Sequence, residues 1–170
     1  IIALLVTMYI NYSTPPIYHA TASIMIETAN RAQTIFNFGL GDQTRVADEI
    51  AVIKSQYVGE EVVERLWNSN KRNRLYIFGT KVFMPRGQRL RRPIKKLFTL
   101  GNWTPEMNQP PQYDEPYSNE IGRKFYLNVI RSLNVYPVGG TNIININSAS
   151  PHPYEAALIV NTIVDIYMKI

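Results

Sequence analysis

Cysteine is absent from this chain. A disulfide scaffold, a thiolate zinc site and a cysteine nucleophile are therefore excluded. Histidine is scarce: His19 and His152 are the only two, too few for a multi-histidine metal centre. Charged residues make up 18% of the chain against 45% apolar, so it is neither a disordered acidic chain nor a coiled coil. Acidic residues are missing altogether between Arg65 and Pro105. There is no GxxxxGK[ST] phosphate loop either. Gly139-Gly140-Thr141 lacks the lysine and the following helix that such a loop needs. No catalytic, cofactor-binding or metal-ligating residue is expected. His19 falls on the polar face of a strand and His152 at a helix start between two prolines. No motif gives either one a serine or carboxylate partner, so both read as surface or capping residues. Glu60, Glu61 and Glu64 read as a solvated helix face opposite Val58, Val62 and Leu66 rather than as an acid–base pair.

What remains is 170 residues with a net charge of +5. That suits one domain able to bury a sizeable core. Ile1 to Ile10 is uncharged and apolar on every side, but shorter than the roughly 20 residues that cross a bilayer. Tyr9 and Tyr12 sit where an aromatic interface belt falls, and no Lys or Arg appears before Arg31. Both features suit the non-cytoplasmic end of a membrane helix, the competing reading being a buried core segment. Residues 1–14 are thus expected to end a first transmembrane helix. The last residues stop inside a helical pattern without a cap, so both ends look cut from a longer protein.

Pro15-Pro16 breaks that helix. Tyr18 to Glu27 then alternates, with Tyr18, Ala20, Ala22, Ile24 and Ile26 on one face, which predicts a half-buried strand. Residues 29–43 read as a loop. Val46, Ile50 and Ile53 recur at helical spacing, and Val58, Val62 and Leu66 do so again after Ser55, a good N-cap. Two helices broken near Lys54-Ser55-Gln56 are expected. Ser118 is expected to cap a helix carrying Ile121, Phe125 and Val129. Leu133 and Val135, then Ile144 and Ile146, predict a hairpin around Gly139-Gly140, where a tight turn can need positive φ at both central positions. A last helix starts at Ser150-Pro-His-Pro-Tyr-Glu155. Glu155 there favours the positive end of the helix dipole, and Ala156, Ala157, Val160, Ile163, Val164 and Tyr167 form the apolar stripe. The fold class expected is α+β: a small mixed or antiparallel sheet packed by helices, attached to a transmembrane helix. Residues 15–67 and 118–170 make the α/β domain, and 68–117 a basic, proline-containing insert with little regular structure.

That insert holds the most unusual pattern. Leu90, Ile94, Leu97 and Phe98 fall at helical spacing among Arg89, Arg91, Arg92, Lys95 and Lys96. With Arg86, these cations are the candidate contacts for lipid head groups or an acidic glycan. A phosphate backbone is a third match for basic residues interleaved with Trp67, Tyr76 and Phe83, but the membrane flank puts the domain outside the cytoplasm, and no nucleic acid is expected.

Taken in order, several segments resemble the chain-length determinant family, the Wzz-type polysaccharide co-polymerases. They are the apolar run into Pro15-Pro16-Ile-Tyr18, the strand Ala20–Ile26, and Glu49-Ile-Ala-Val-Ile-Lys-Ser55 followed by Val58, Val62-Val63 and Leu66. The hairpin Leu133–Ile146 and Ser150-Pro-His-Pro-Tyr-Glu-Ala156 with Val160-Asn161 and Tyr167 complete them. His152 stands where the family usually has Asp before the proline. The basic insert is similar to that of the long-form branch serving exopolysaccharide export in bacteria with two membranes. The resemblance implies a periplasmic domain between two inner-membrane helices and a homo-oligomeric ring. It also implies control of the chain length of a lipid-linked polysaccharide, with a polymerase and an outer-membrane exporter as partners. No cofactor and no catalysis in this segment are implied. Many long-form members continue into a cytoplasmic tyrosine kinase domain, so the alternative expectation is the extracytoplasmic region of a bacterial tyrosine autokinase.

Overall fold

Periodicity and capping translate directly into most of the observed elements. The computed structural model describes residues 2–14, 16–26, 41–81 and 110–170. In chain order they form helix α1 (Ile2–Ser13), strand β1 (Tyr18–Met25), helices α2 (Gly41–Ile53) and α3 (Gln56–Trp67), and two 3-10 turns, Arg72–Arg74 and Tyr76–Phe78. Helix α4 (Asn119–Ser132), strands β2 (Leu133–Pro137) and β3 (Ile143–Ser150), and helix α5 (Pro153–Tyr167) follow. The class is α+β, with α2 to α5 packed on a three-stranded antiparallel sheet of order β1-β3-β2.

The sheet is two-faced because its strands alternate. β1 pairs with β3 from Tyr18↔Ser150 to Met25↔Ile143, and β2 pairs with β3 from Leu133↔Ser148 to Pro137↔Ile144. Ile144, Ile146, Leu133 and Val135 are buried on the helical side. Burying each such side chain contributes about 1.5–3 kcal/mol. The other face carries polar residues that bond across strands. Ser23 Oγ donates to Asn145 Oδ1 at 2.7 Å, and Asn147 Nδ2 donates to Thr21 Oγ1 at 2.9 Å. His19 lies on this face as expected, its Nδ1 3.2 Å from Asn147 Oδ1. The hairpin stands where the Gly-Gly pair predicts it, but only Gly140 takes positive φ, at +71°. The turn closes through Thr141 N–H to Val138 C=O and is wider than a two-residue connection. A wider turn needs one left-handed residue rather than two.

The break between α2 and α3 falls at Lys54-Ser55, and Ser55 Oγ accepts from Val58 N–H at 3.3 Å, the expected cap. Ser118 occupies the N-cap of α4 but makes no side-chain cap bond, contrary to the expectation. Gly41–Gln43 begin α2 rather than ending a loop; the rest of the expected loop, through residue 40, lies outside the described residues. The stripe on α5 is broader than expected and includes Ile159 and Ile166, because the helix meets β1, β3 and α3 at once. Gly59 of α3 lets α4 approach: a Cβ there would stand 3.2 Å from Tyr126 Cβ.

Helix α1 is another matter. Its large apolar side chains are 44–80% exposed. Its 12 residues rise about 18 Å, against the roughly 30 Å of a bilayer core. Among the described residues no helix is long and apolar enough to cross a membrane.

One contact couples the fold to pH. Tyr167 on α5 donates its hydroxyl to Glu49 Oε2 on α2 at 2.9 Å. Burial first, then the bond to and charge of Glu49, push its pKa from 10.0 up to about 12. The folded state therefore holds this proton where the unfolded chain has lost it. The associated stability is fully present below pH 10 and is lost as pH rises toward 12. The melting-temperature difference between the natural chain and Tyr167→Phe is expected to stay constant up to about pH 9.5 and shrink between pH 10 and 12. A difference that does not change with pH would contradict this linkage.

Candidate functional site

The flanks of the expected insert turn out to belong to the core. Leu75, Ile77 and Phe78 are buried, and Tyr113 packs against them. Both ends of the segment 68–117 thus share the core: the apolar residues there are scattered without period yet converge on α3 and α4. Trp67 stands at the centre, with ring centroids 5.1 Å from Phe78, 4.9 Å from Tyr113 and 5.9 Å from Phe125. Polar bonds stitch the two flanks together. Trp67 Nε1 and an Arg72 guanidinium N–H both donate to Glu115 C=O, at 3.0 and 2.9 Å. Asn73 takes both backbone groups of Tyr113, receiving its N–H at 3.0 Å and donating to its C=O at 3.3 Å.

The second 3-10 turn is gripped by a side chain from far along the chain. Glu155 is 2% exposed. One of its carboxylate oxygens accepts Ile77 N–H at 2.9 Å. The other accepts Tyr76 N–H at 3.1 Å and Ser150 O–H at 2.9 Å. Asn128 of α4 completes the grip by donating to Ile77 C=O at 2.9 Å. Short turns leave backbone N–H groups without intrahelical partners, and here a buried carboxylate supplies them. The dipole expectation for Glu155 placed it correctly in the first turn of α5 but missed this bonding. The signal was present: Glu155, Ile159 and Ile163 are spaced by four and share the buried face. His152 holds the N-cap position without a side-chain cap bond, and Ser150 Oγ accepts the His152 N–H at 3.1 Å instead.

Beside this clasp opens a cleft of about 260 Å³, walled by Lys71, Arg74, Lys81, His152 and Tyr154 and floored by Leu75 and Glu155. Lys71 Nζ donates to the Tyr154 hydroxyl and lies 4.1 Å from its ring centroid. Lys81 Nζ lies 5.9 Å from the Tyr76 ring. Among the described residues, the ion pairs are Arg65–Glu61 and Arg72–Asp114, neither of which involves these three cations. The cleft is thus a place of positive charge with aromatic and apolar walls.

Arg86, Arg89, Arg91, Arg92, Lys95 and Lys96, the expected lipid or glycan contacts, lie outside the described residues. Glu60, Glu61 and Glu64 are half-buried rather than fully solvated. They surround Tyr117, whose hydroxyl pKa rises through burial first and then through the charges of Glu64, Glu60 and Glu61. Among the described residues no cluster of metal-binding side chains forms. Helices α2, α3 and α5 supply much of the core, including Ile53, Val62 and Ile163.

The class defined here is an α+β domain with an exposed apolar helix leading into an edge strand and a basic cleft clasped by Glu155. In comparisons with family models, curated proteins and solved structures, none matches this chain.

Proposed function

We propose that this chain is the periplasmic domain of a polysaccharide co-polymerase of the bacterial inner membrane, one that assembles as a homo-oligomeric ring and governs the chain length and export of an exopolysaccharide or capsule. Helix α1 is then the outer end of a membrane helix. The carrying observation is the exposure of α1: every large apolar side chain from Ile2 to Tyr12 stands clear of the domain. An apolar surface of that extent calls for a lipid or protein cover. Pro16 and Ile17 then deliver the chain to β1 within a few residues. The sequence segments that carry the family resemblance are the second support for this reading. In this reading the basic residues from Arg86 to Lys96 meet anionic lipid head groups or acidic glycan. The lipid-linked polymer, its polymerase and an outer-membrane exporter are the partners.

Two measurements test the reading. Mass photometry of the detergent-solubilised full-length protein is expected to show one large closed oligomer; a monomer at every concentration would overturn the ring. Replacing Arg89, Arg91, Arg92, Lys95 and Lys96 with Gln is expected to weaken association with anionic vesicles at least tenfold while leaving the melting temperature unchanged. Each cation near such a surface contributes about 1 kcal/mol, so five together exceed a tenfold effect comfortably. Unchanged vesicle association would remove lipid contact from the role of these residues.

A further inference from the structure

We infer that the cleft between the 3-10 turns and the start of α5 is a binding site for an acidic sugar unit, a saccharide carrying a carboxylate or a phosphate. The sugar's origin rests on the polysaccharide reading above; the chemistry of the cleft does not.

Charge selects the ligand's sign. Lys71, Arg74 and Lys81 converge on one opening, with His152 at its rim. The acidic residue lining it, Glu155, has both oxygens turned to Tyr76, Ile77 and Ser150. It offers no ion pair to the three cations. The wall that carries them lies within the stretch from Arg65 to Pro105 that has no acidic residue, so no neighbour in sequence neutralises them. The N-terminal end of the 15-residue helix α5 also opens here, and its dipole adds positive potential. Two of the cations are held in place rather than waving in solvent. The Tyr154 hydroxyl and ring fix Lys71, and the Tyr76 ring steadies Lys81. Ordering these long side chains in advance lowers the entropy lost on binding.

Size and walls select a sugar over a bare anion. About 260 Å³ is far more than the roughly 10–15 Å³ of such space that a single water needs. A lone phosphate would leave most of that space filled with water. It is also just below the roughly 300 Å³ at which pockets for drug-sized ligands begin, which suits one sugar unit seated in the cleft with the rest of a longer chain lying outside the opening. Leu75 is buried beneath the opening and Tyr154 is half exposed beside it. A pyranose ring presents apolar C–H faces to such walls while its acid group reaches the cations, and the arginine fork suits a carboxylate or phosphate.

The test is calorimetric titration of the whole chain in zwitterionic detergent with four probes: a galacturonate trimer, a hexose 1-phosphate, inorganic phosphate and uncharged maltotriose. At least one acidic sugar is expected to bind at least tenfold more tightly than phosphate or maltotriose, and more weakly as salt rises. Lys71→Gln with Arg74→Gln is expected to reduce that affinity tenfold or more, with an unchanged melting temperature because both side chains are exposed. Amine-reactive labelling of the natural chain gives a readout without substitution: bound acidic sugar protects Lys71 and Lys81. Equal binding of phosphate, equal binding of maltotriose, absence of binding, or labelling unaffected by ligand would each overturn the inference. A chain that forms rings but ignores acidic sugars loses the cleft assignment alone. One that binds acidic sugars but stays monomeric loses the proposed function alone.

Discussion

Replacing Trp67 with alanine is expected to destabilise the domain by about 3–5 kcal/mol, the usual cost of removing a buried Trp ring. At roughly 2–4 °C per kcal/mol for a chain of this size, the melting temperature falls by about 6–20 °C. The indole is 1% exposed and is the meeting point of three other rings. Its removal leaves a void bounded by α3, the second 3-10 turn, Tyr113 and α4. Those surroundings belong to four separate segments and cannot all collapse inward together. Trp67→Phe separates packing from hydrogen bonding. It keeps most of the ring contact but gives up the bond from Nε1 to Glu115 C=O, and is expected to cost about 1–2 kcal/mol. Denaturant titration measures both values. Amide exchange at Tyr113 supplies a local check, since its N–H is held by Asn73 and should exchange at least tenfold faster in Trp67→Ala. A loss below 1 kcal/mol in the alanine variant would show that residues 110–117 do not depend on this ring.

Glu155→Ala is expected to cost a similar amount, about 3–5 kcal/mol, for a different reason. Little apolar contact is lost. Instead three donors, Tyr76 N–H, Ile77 N–H and Ser150 O–H, lose their shared acceptor. Each buried donor left unpaired costs about 1–3 kcal/mol, reduced here where water enters from the neighbouring cleft. Glu155→Gln keeps the shape and one acceptor oxygen but turns an NH2 group toward donors, so about half the loss is expected. Ser150→Ala is expected to be the mildest of the three, near 1 kcal/mol, because Ile77 and Tyr76 keep their acceptor. The order Ala, Gln, then Ser150→Ala in thermal melts is the signature of the clasp. Equal stability of Glu155→Ala and the natural chain would mean that the turn holds without it.

These two sites differ in how much of them a sequence reader can see. Trp67 ends a helix whose apolar spacing is plain from Val58, Val62 and Leu66, so its burial follows from position alone. Its partners do not. Phe78 and Tyr113 sit in proline-bearing, aperiodic stretches, where apolar residues carry no phase that would assign them to a face. Glu155 hid behind a rule that was locally correct. An acidic residue in the first turn of a helix satisfies the dipole wherever its side chain points, so the local pattern stopped short of its spacing with Ile159 and Ile163. The cleft was less visible still. Lys71, Arg74 and Lys81 lie in the stretch from Arg65 to Pro105 that has no acidic residue, yet His152 and Tyr154 lie far along the chain. Arg86 to Lys96, the expected contacts, belong to the same stretch but lie outside the described residues.

Local order was decided by the amino-acid sequence itself: the apolar helix at the start, the alternating strand β1, the Ser55 break, the hairpin and the proline-led last helix. Each of these depends on periodicity or turn chemistry within about ten residues, where side-chain spacing and backbone preference act directly. Tertiary structure alone decided that the flanks of the basic segment join the core, that Glu155 reaches across 79 and 78 positions to hold Tyr76 and Ile77, and that three cations meet a tyrosine at one cleft. Such contacts exist only where helices and sheet bury their apolar faces against one another. That packing sets which distant polar groups must find each other or remain unsatisfied.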